Sequence, residues 1–182
     1  MNINTLFITC QYVKQFSTVG DNTDDTYITP AIMDAQLIDL QGVIGTNLYD
    51  KIAELIDNET IGSAGKESYK QLLDNYIAPY LLHKCQSYLL INLMAKERNA
   101  GVVTYYDNNQ TQMQLSEVKF IKSEFDNKAS FYGRRMMDWL HANASKFPEF
   151  CVCRDCSDMH HDSRNTFAGN LNLHLNKHKK HF

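Results

Sequence analysis

Apolar residues recur at helical spacing through the first third of the chain. The first stripe has spacings of 4, 3 and 4 and comprises Met33, Leu37, Leu40 and Ile44. It predicts a helix over about residues 30–43, with Thr29 as its cap and Pro30 at its first position. The second stripe comprises Leu48, Ile52, Leu55 and Ile56. It predicts a second helix over about residues 46–58.

Two longer periodic segments follow. The third predicted helix spans about residues 66–99, with Pro79 in its interior. A proline at such a position removes a backbone hydrogen bond, so we expect a kink or break near residues 75–78. The buried side of this helix is predicted to comprise Tyr69, Leu73, Tyr76, Tyr80, Leu81, Tyr88, Ile91 and Ala95. The fourth helix is predicted over about residues 116–143, with a stripe of Val118, Ile121, Phe125, Ala129, Tyr132, Met136 and Trp139.

The remaining segments favour extended chain. Residues 101–114 combine β-branched and aromatic residues with a polar turn, which predicts a small hairpin. Leu171, Leu173 and Leu175 alternate with polar residues and predict a strand that must pair with its own chain or with a neighbour. The expected fold is mainly α: a four-helix bundle with a small β-hairpin and terminal strands or arms. Its expected parts are an N-terminal arm with a short strand (1–28), a helical domain (29–147) and a C-terminal segment (148–182).

Composition narrows the function classes. The chain has 182 residues, 43% of them hydrophobic, and a formal net charge of -3. A sequence pI near 6.1 argues against a dominant nucleic-acid surface, because neutralising phosphates requires a concentrated excess of Lys and Arg. No apolar run approaches the length that a bilayer needs, so no membrane association is expected. The chain shows no phosphate-binding or nucleophile motif, so we do not expect an enzyme.

Three cysteines and two histidines crowd together near the C-terminus. The candidate ligands are Cys151, Cys153, Cys156 and His160, with His161 as an alternative to His160. They are the soft ligands that tetrahedral zinc prefers, but zinc sites usually join two separated turns, and here all the ligands are local. Free thiols in a surface loop are the favoured interpretation and a structural zinc the alternative. No cofactor is required in either case.

The final nine residues are basic. Lys177, Lys179 and Lys180 alternate with histidines, which predicts either a solvated terminus or a contact with an acidic protein surface or DNA.

The order of the sequence features along the chain also resembles that of a known protein family. It comprises the stretches "YITPAIMDAQLIDLQGVIGTNLYDKI", "YIAPYLLHKCQSYLL", "ERNAGVVTYYDN", "YGRRMMDWLHANASKFPEF" and "FAGNLNLHL". In this order they resemble the head-to-tail connector (adaptor) proteins of tailed bacteriophages, and more narrowly the ring proteins of crAss-like phages. The resemblance spans roughly residues 5–176.

The resemblance implies a virion structural protein that assembles as a ring, usually twelvefold, below the portal. It would extend the DNA channel and contact the portal protein and an adjacent tail or second ring protein. Strand pairing between subunits would then use Val102, Val103, Tyr105, Tyr106, Leu171, Leu173 and Leu175. The alternative function is a zinc-containing nucleic-acid-binding or regulatory protein that uses the C-terminal cluster of Cys and His.

Overall fold

The computed structural model describes residues 5–94, 96–98, 101–103 and 115–150. Most of these residues are helical, as the sequence predicts. The helices are α1 (Cys10–Phe16), α2 (Asp25–Asp34, π-helical Ala35–Leu40 and Gln41–Ile44), α3 (Thr46–Asp57), α4 (Glu67–Leu72, π-helical Leu73–Ile77 and Ala78–Met94) and α5 (Leu115–Ala142). Two short 3-10 turns, Ala144–Lys146 and Pro148–Phe150, follow α5. No helix in these described segments is long and apolar enough to cross a membrane.

The first long helix, α2, begins five residues earlier than predicted. Asp24, not Thr29, caps it, because the Asp24 carboxylate accepts a hydrogen bond from the backbone N–H of Thr26 at 3.0 Å. Pro30 therefore lies inside the helix rather than at its first position. The helix ends at Gly45, whose φ of 81° lies in the region that favours glycine, and α3 starts immediately afterwards.

The expected irregularity before Pro79 is present as a π-helical segment. Leu73–Ile77 widens the helix, and the backbone N–H of Ala78 donates to the carbonyl of Leu73, five residues earlier. This wider turn lies directly before Pro79 and accommodates a residue that has no N–H to donate. The helix continues through the proline to Met94, five residues short of the predicted end at 99.

Helices α2, α4 and α5 form the centre of the fold. α4 and α5 run antiparallel, since Tyr76 pairs with Trp139 and His83 with Tyr132. α2 packs against the C-terminal part of α4. The core between them contains, among others, Ile28, Ile32, Leu40, Leu72, Ile77, Leu81, Met136 and Leu140. Cys85 is also fully buried there, and the apolar surroundings raise the pKa of its thiol to about 12. A thiol in this position acts as a small core side chain.

The segments on both sides of the predicted helical domain belong to the same body. Residues 1–28 were predicted to form an arm with a short strand, but "CQYVKQF" forms α1, and Phe7, Ile8 and Val13 join the core. The strand prediction is wrong within the described residues 5–28. Phe150 is also buried in the core, so the body extends beyond the predicted boundary at 147.

Two three-residue strands lie after α4. β1 (Lys96–Arg98) pairs antiparallel with β2 (Gly101–Val103), with Glu97 opposite Val102. The pairing therefore begins earlier than the hairpin predicted over residues 101–114, and it takes in residues that had been assigned to the end of the third helix. Residues 104–114 of that prediction lie outside the described segments.

Candidate functional site

The end of the α4–α5 helix pair exposes apolar side chains. Ile91 and Leu93, in the last turn of α4, are 43% and 38% exposed, and Leu115, the first residue of α5, is 65% exposed. Since α4 and α5 are antiparallel, these residues and strands β1 and β2 lie at the same end of the molecule. We call Ile91, Leu93 and Leu115 the hairpin end. Exposed apolar residues gathered at one end of a molecule are candidates for an interaction site.

One sequence prediction is wrong at the hairpin end. Ile91 was assigned to the buried side of the third helix, but it faces outward. The π-helical segment contributes to this difference, because a wider turn rotates every later residue relative to a strict 3.6-residue period. Leu81 and Tyr80 remain buried, while Tyr88 is only partly buried.

A charged junction behind the hairpin end connects three helices. Lys84 Nζ on α4 lies 3.0 Å from Asp39 Oδ1 on α2 and 3.4 Å from Asp126 Oδ1 on α5. Tyr88 donates to Asp39 Oδ2 at 2.9 Å, and Lys122 lies 2.7 Å from Asp126 Oδ2. The Lys84 ammonium therefore holds two carboxylates from different helices at one point.

The ionisation of this junction favours the paired state. Partial burial alone would raise the pKa of Asp126, but the hydrogen bond from Lys122 and the charge of Lys84 outweigh it and lower that pKa. Burial, together with the hydrogen bond to Asp39, raises the pKa of Tyr88, which therefore stays a neutral donor. The carboxylates are satisfied by fixed cations, so the junction orients the helices and offers no activated nucleophile or base.

An aromatic ladder follows the same helix interface away from the hairpin end. Tyr76 stacks on Trp139 with ring centroids 4.7 Å apart, and His83 stacks on Tyr132 at 5.3 Å. These pairs repeat every seven residues on each helix, as expected for side chains along the seam of an antiparallel helix pair. Of the four tyrosines on the predicted buried side of α4, Tyr69 and Tyr80 are buried, and Tyr76 and Tyr88 are partly buried against the core.

The residues after α5 pack against its C-terminal end, which is opposite the hairpin end. Phe147 packs edge-on against Tyr69 at 5.1 Å, and the Tyr69 hydroxyl donates to Glu149 Oε2 at 2.8 Å. Phe150 lies 5.3 Å from the ring of His141. The 28 residues of α5 separate this segment, residues 143–150, from the hairpin end by about 40 Å at 1.5 Å per residue. The two ends are therefore distinct surfaces.

The structure describes few of the site residues predicted from sequence. Val102 and Val103 lie in β2, where only the backbone is described. The others lie outside the described residues: Tyr105, Tyr106, Cys151, Cys153, Cys156, His160, His161, Leu171, Leu173, Leu175, Lys177, Lys179 and Lys180. Within the described segments, no three side chains of His, Cys, Asp or Glu come together as a metal site.

Sequence reasoning missed two exposed phenylalanines on α5. Phe120 is 68% exposed and Phe131 is 56% exposed. Both fall outside the predicted buried stripe, which includes Val118, Ala129 and Met136, all of them buried as expected. The sequence did contain a signal for them, because each is a large apolar residue at a position outside the predicted buried stripe.

Comparison with known proteins gives a family but no activity. No curated protein and no solved structure matches the chain. Residues 40–160, about two thirds of the chain, match DUF6712, a family of unknown function. The match begins in the π-helical segment of α2 and covers α3, α4, α5 and the turns up to Phe150. The chain therefore belongs to the DUF6712 family.

Proposed function

We propose that this protein is a subunit of a head-to-tail connector ring of a tailed bacteriophage. The ring would dock under the portal, extend the DNA channel and join the capsid to the tail. The resemblance of the sequence to connector proteins motivates this proposal. The observation that carries it is the hairpin end, where exposed apolar residues of two helices lie at the same end of the molecule as a two-stranded sheet whose outer edges have no strand partner among the described residues.

The sheet edges support strand pairing between subunits. Among the described residues, β1 pairs only with β2, so each strand has one edge without a strand partner. Unpaired backbone donors and acceptors along an edge favour the addition of a strand from another chain. Val102 and Val103 in β2 would take part through the backbone. Tyr105, Tyr106 and the "NLNLHL" residues Leu171, Leu173 and Leu175 remain the predicted partners.

The separation of the two ends supports a ring. Neighbours in a ring use heterologous contacts, in which one surface of a subunit meets a different surface of the next. The hairpin end and residues 143–150 lie about 40 Å apart along α5. Two such surfaces meet this requirement, whereas a single surface would favour a closed pair.

The connector would act by assembly and not by catalysis. Its partners would be further copies of itself, as a dodecamer, the portal protein, and an adjacent tail or second ring protein. Packaged DNA would pass through the channel without sequence recognition, consistent with a net charge of -3. The charged junction around Lys84 would hold α2, α4 and α5 in fixed orientation, so that the hairpin end is presented rigidly.

A binding experiment tests this proposal. The protein is mixed with purified portal rings, and association is measured by co-sedimentation, because some ring proteins assemble only on their template. A double variant, Leu93→Ser with Leu115→Ser, should lose association. Phe16→Ser on α1 removes a side chain that is 57% exposed and serves as the matched control, which should still bind. Loss of binding in the control alone, or wild-type protein that never binds, would contradict the proposal.

A further inference from the structure

The outer face of α5 has an ordered chemical pattern. Six of its exposed residues, at spacings of 3 or 4, are Glu117, Phe120, Glu124, Lys128, Phe131 and Arg135, and Asp138 follows three residues after them. Such spacings place these side chains along one side of the helix, opposite the buried stripe. The first half reads acid, aromatic, acid, and the second half reads base, aromatic, base.

The positions of these six residues are nearly symmetric about residue 126, and the charges at symmetric positions have opposite signs. Glu124 and Lys128 lie two residues on either side of it, and Glu117 and Arg135 lie nine residues on either side. Phe120 and Phe131 lie six and five residues away. A second α5 placed antiparallel across this face would bring each acid beside a base and each phenylalanine beside a phenylalanine. A parallel copy would instead place like charges together, which is unfavourable.

A depression on this face fits the aromatic part of the pattern. It has a volume of about 440 Å³ and is lined, among the described residues, by Ser116, Glu117, Phe120 and Ile121. In the antiparallel arrangement, Phe131 of the second copy arrives at the level of Phe120. Its ring would therefore enter the depression, where an aromatic side chain buries much apolar surface.

Two contacts within the chain hold the basic half in position. The Arg135 guanidinium lies over the Tyr76 ring at 5.0 Å, and Lys128 Nζ lies over the Phe125 ring at 5.9 Å. Each contact restricts the motion of a long, flexible side chain at the edge of the outer face of α5. Side chains that are already ordered lose less entropy when a partner binds.

We propose that two copies of this chain associate through the outer faces of α5, antiparallel, about a twofold axis close to residue 126. The contact is closed and isologous, unlike the heterologous contacts of a ring, so this inference does not depend on the proposed connector function. From Glu117 to Arg135 the face extends over about 27 Å at 1.5 Å per residue. One helix pair of this length is a small interface, so we expect a dimer in the micromolar range of dissociation constants.

The first test is the dissociation constant of the full chain, measured by sedimentation equilibrium. Phe131→Ser should raise it at least about tenfold, as expected for the loss of a central aromatic contact. Ile38→Ser is the matched control, because Ile38 is 62% exposed but lies on α2. It should leave the constant unchanged. A wild-type protein that stays monomeric at about 200 μM, or equal effects of the two variants, would overturn the inference.

Charge reversal tests the antiparallel register. Glu124→Lys alone and Lys128→Glu alone should each weaken the dimer, while the double variant should restore it, because each reversed residue then meets a reversed partner. Circular dichroism checks that helix content is unchanged, since the two residues are also neighbours within the helix. A double variant that dimerises no more tightly than the single variants would overturn this register. The inference would also be overturned if the wild-type protein is monomeric and Phe131→Ser abolishes only its binding to portal rings.

Discussion

The side-chain amide of Gln36 hydrogen-bonds the backbone of the N-terminal segment on both sides of Leu6. Its oxygen accepts from the N–H of Phe7 at 2.8 Å, and its nitrogen donates to the carbonyl of Thr5 at 3.0 Å. Gln36 is fully buried, and its nitrogen also lies 3.3 Å from the Tyr49 hydroxyl. The carboxamide therefore substitutes for a strand partner and fixes this segment to the π-helical part of α2.

Replacing Gln36 by leucine should destabilise the protein. The change leaves the buried N–H of Phe7 and the carbonyl of Thr5 without this partner, which costs about 2–4 kcal/mol of unfolding free energy. Urea denaturation measures the loss. Gln71→Leu makes the same chemical change at an exposed position of α4 and should stay within about 0.5 kcal/mol of wild type. Similar losses in both variants would show that the Gln36 bonds are not the cause.

Replacing Lys84 by methionine should loosen the charged junction. Asp39 and Asp126 would lose their shared cation in a partly buried setting, so we expect a loss of about 1–2 kcal/mol. Lys70→Met is the control, because Lys70 also lies 2.8 Å from a carboxylate, that of Asp74, but the pair is about half exposed. It should change stability by less than about 0.5 kcal/mol. Equal losses in the two variants would mean that the junction around Lys84 stabilises the fold no more than an exposed ion pair does.

Residues 143–150, which follow α5, should be part of the stable body. Phe147 is fully buried against Tyr69 and Trp139, and its truncation to alanine should cost about 3–5 kcal/mol. Phe16→Ala removes the same side chain where it is 57% exposed and should cost less than about 1 kcal/mol. Thermal and urea unfolding both measure the difference. A small loss in Phe147→Ala would mean that residues 143–150 are not required for the fold.

The stability of the protein should fall in mildly acidic solution because of His83. Burial lowers the pKa of this histidine below its ordinary value near 6.5, the charge of Lys128 acts in the same direction, and the hydrogen bond to Gln86 opposes them. The folded state therefore binds fewer protons than the unfolded state between the lowered pKa and about 6.5. Unfolding free energy should rise with pH across that window and level off above it.

Comparison with a His83→Gln variant isolates this effect. Unfolding is measured from pH 7.5 to 5.5, a range above the titration of the carboxylates, and the difference between the two proteins is plotted. The wild-type advantage should shrink as the pH falls. A difference that stays constant across this range would contradict the assignment to His83.

The sequence predicted the regular parts of this fold well. Helices α3 and α5 end within one residue of the predicted ranges 46–58 and 116–143, because one apolar stripe determines each of them. The irregularity before Pro79 was also predicted, since the missing N–H is a local property.

Contacts between distant residues explain what was not predicted. Gln36 meets Thr5 and Phe7 across about 30 positions, and Glu149 meets Tyr69 across 80, so no periodic pattern marks either pairing. Both pairings bring into the body residues that were predicted to lie outside the helical domain 29–147. At the hairpin end, the sequence placed Ile91 on the buried side of its helix, because its exposure depends on the packing of whole helices. The exposed Phe120 and Phe131 could have been found, since they lie outside the predicted buried stripe of α5.

Electron microscopy of the protein mixed with portal rings tests the connector proposal most directly. Rotational averaging of the complexes should show an added ring coaxial with the portal and of matching twelvefold symmetry. Its density should contact the portal through the apolar hairpin end or the β1–β2 edge. Portal rings that remain bare in the presence of excess protein, or density without rotational symmetry, would contradict the proposal.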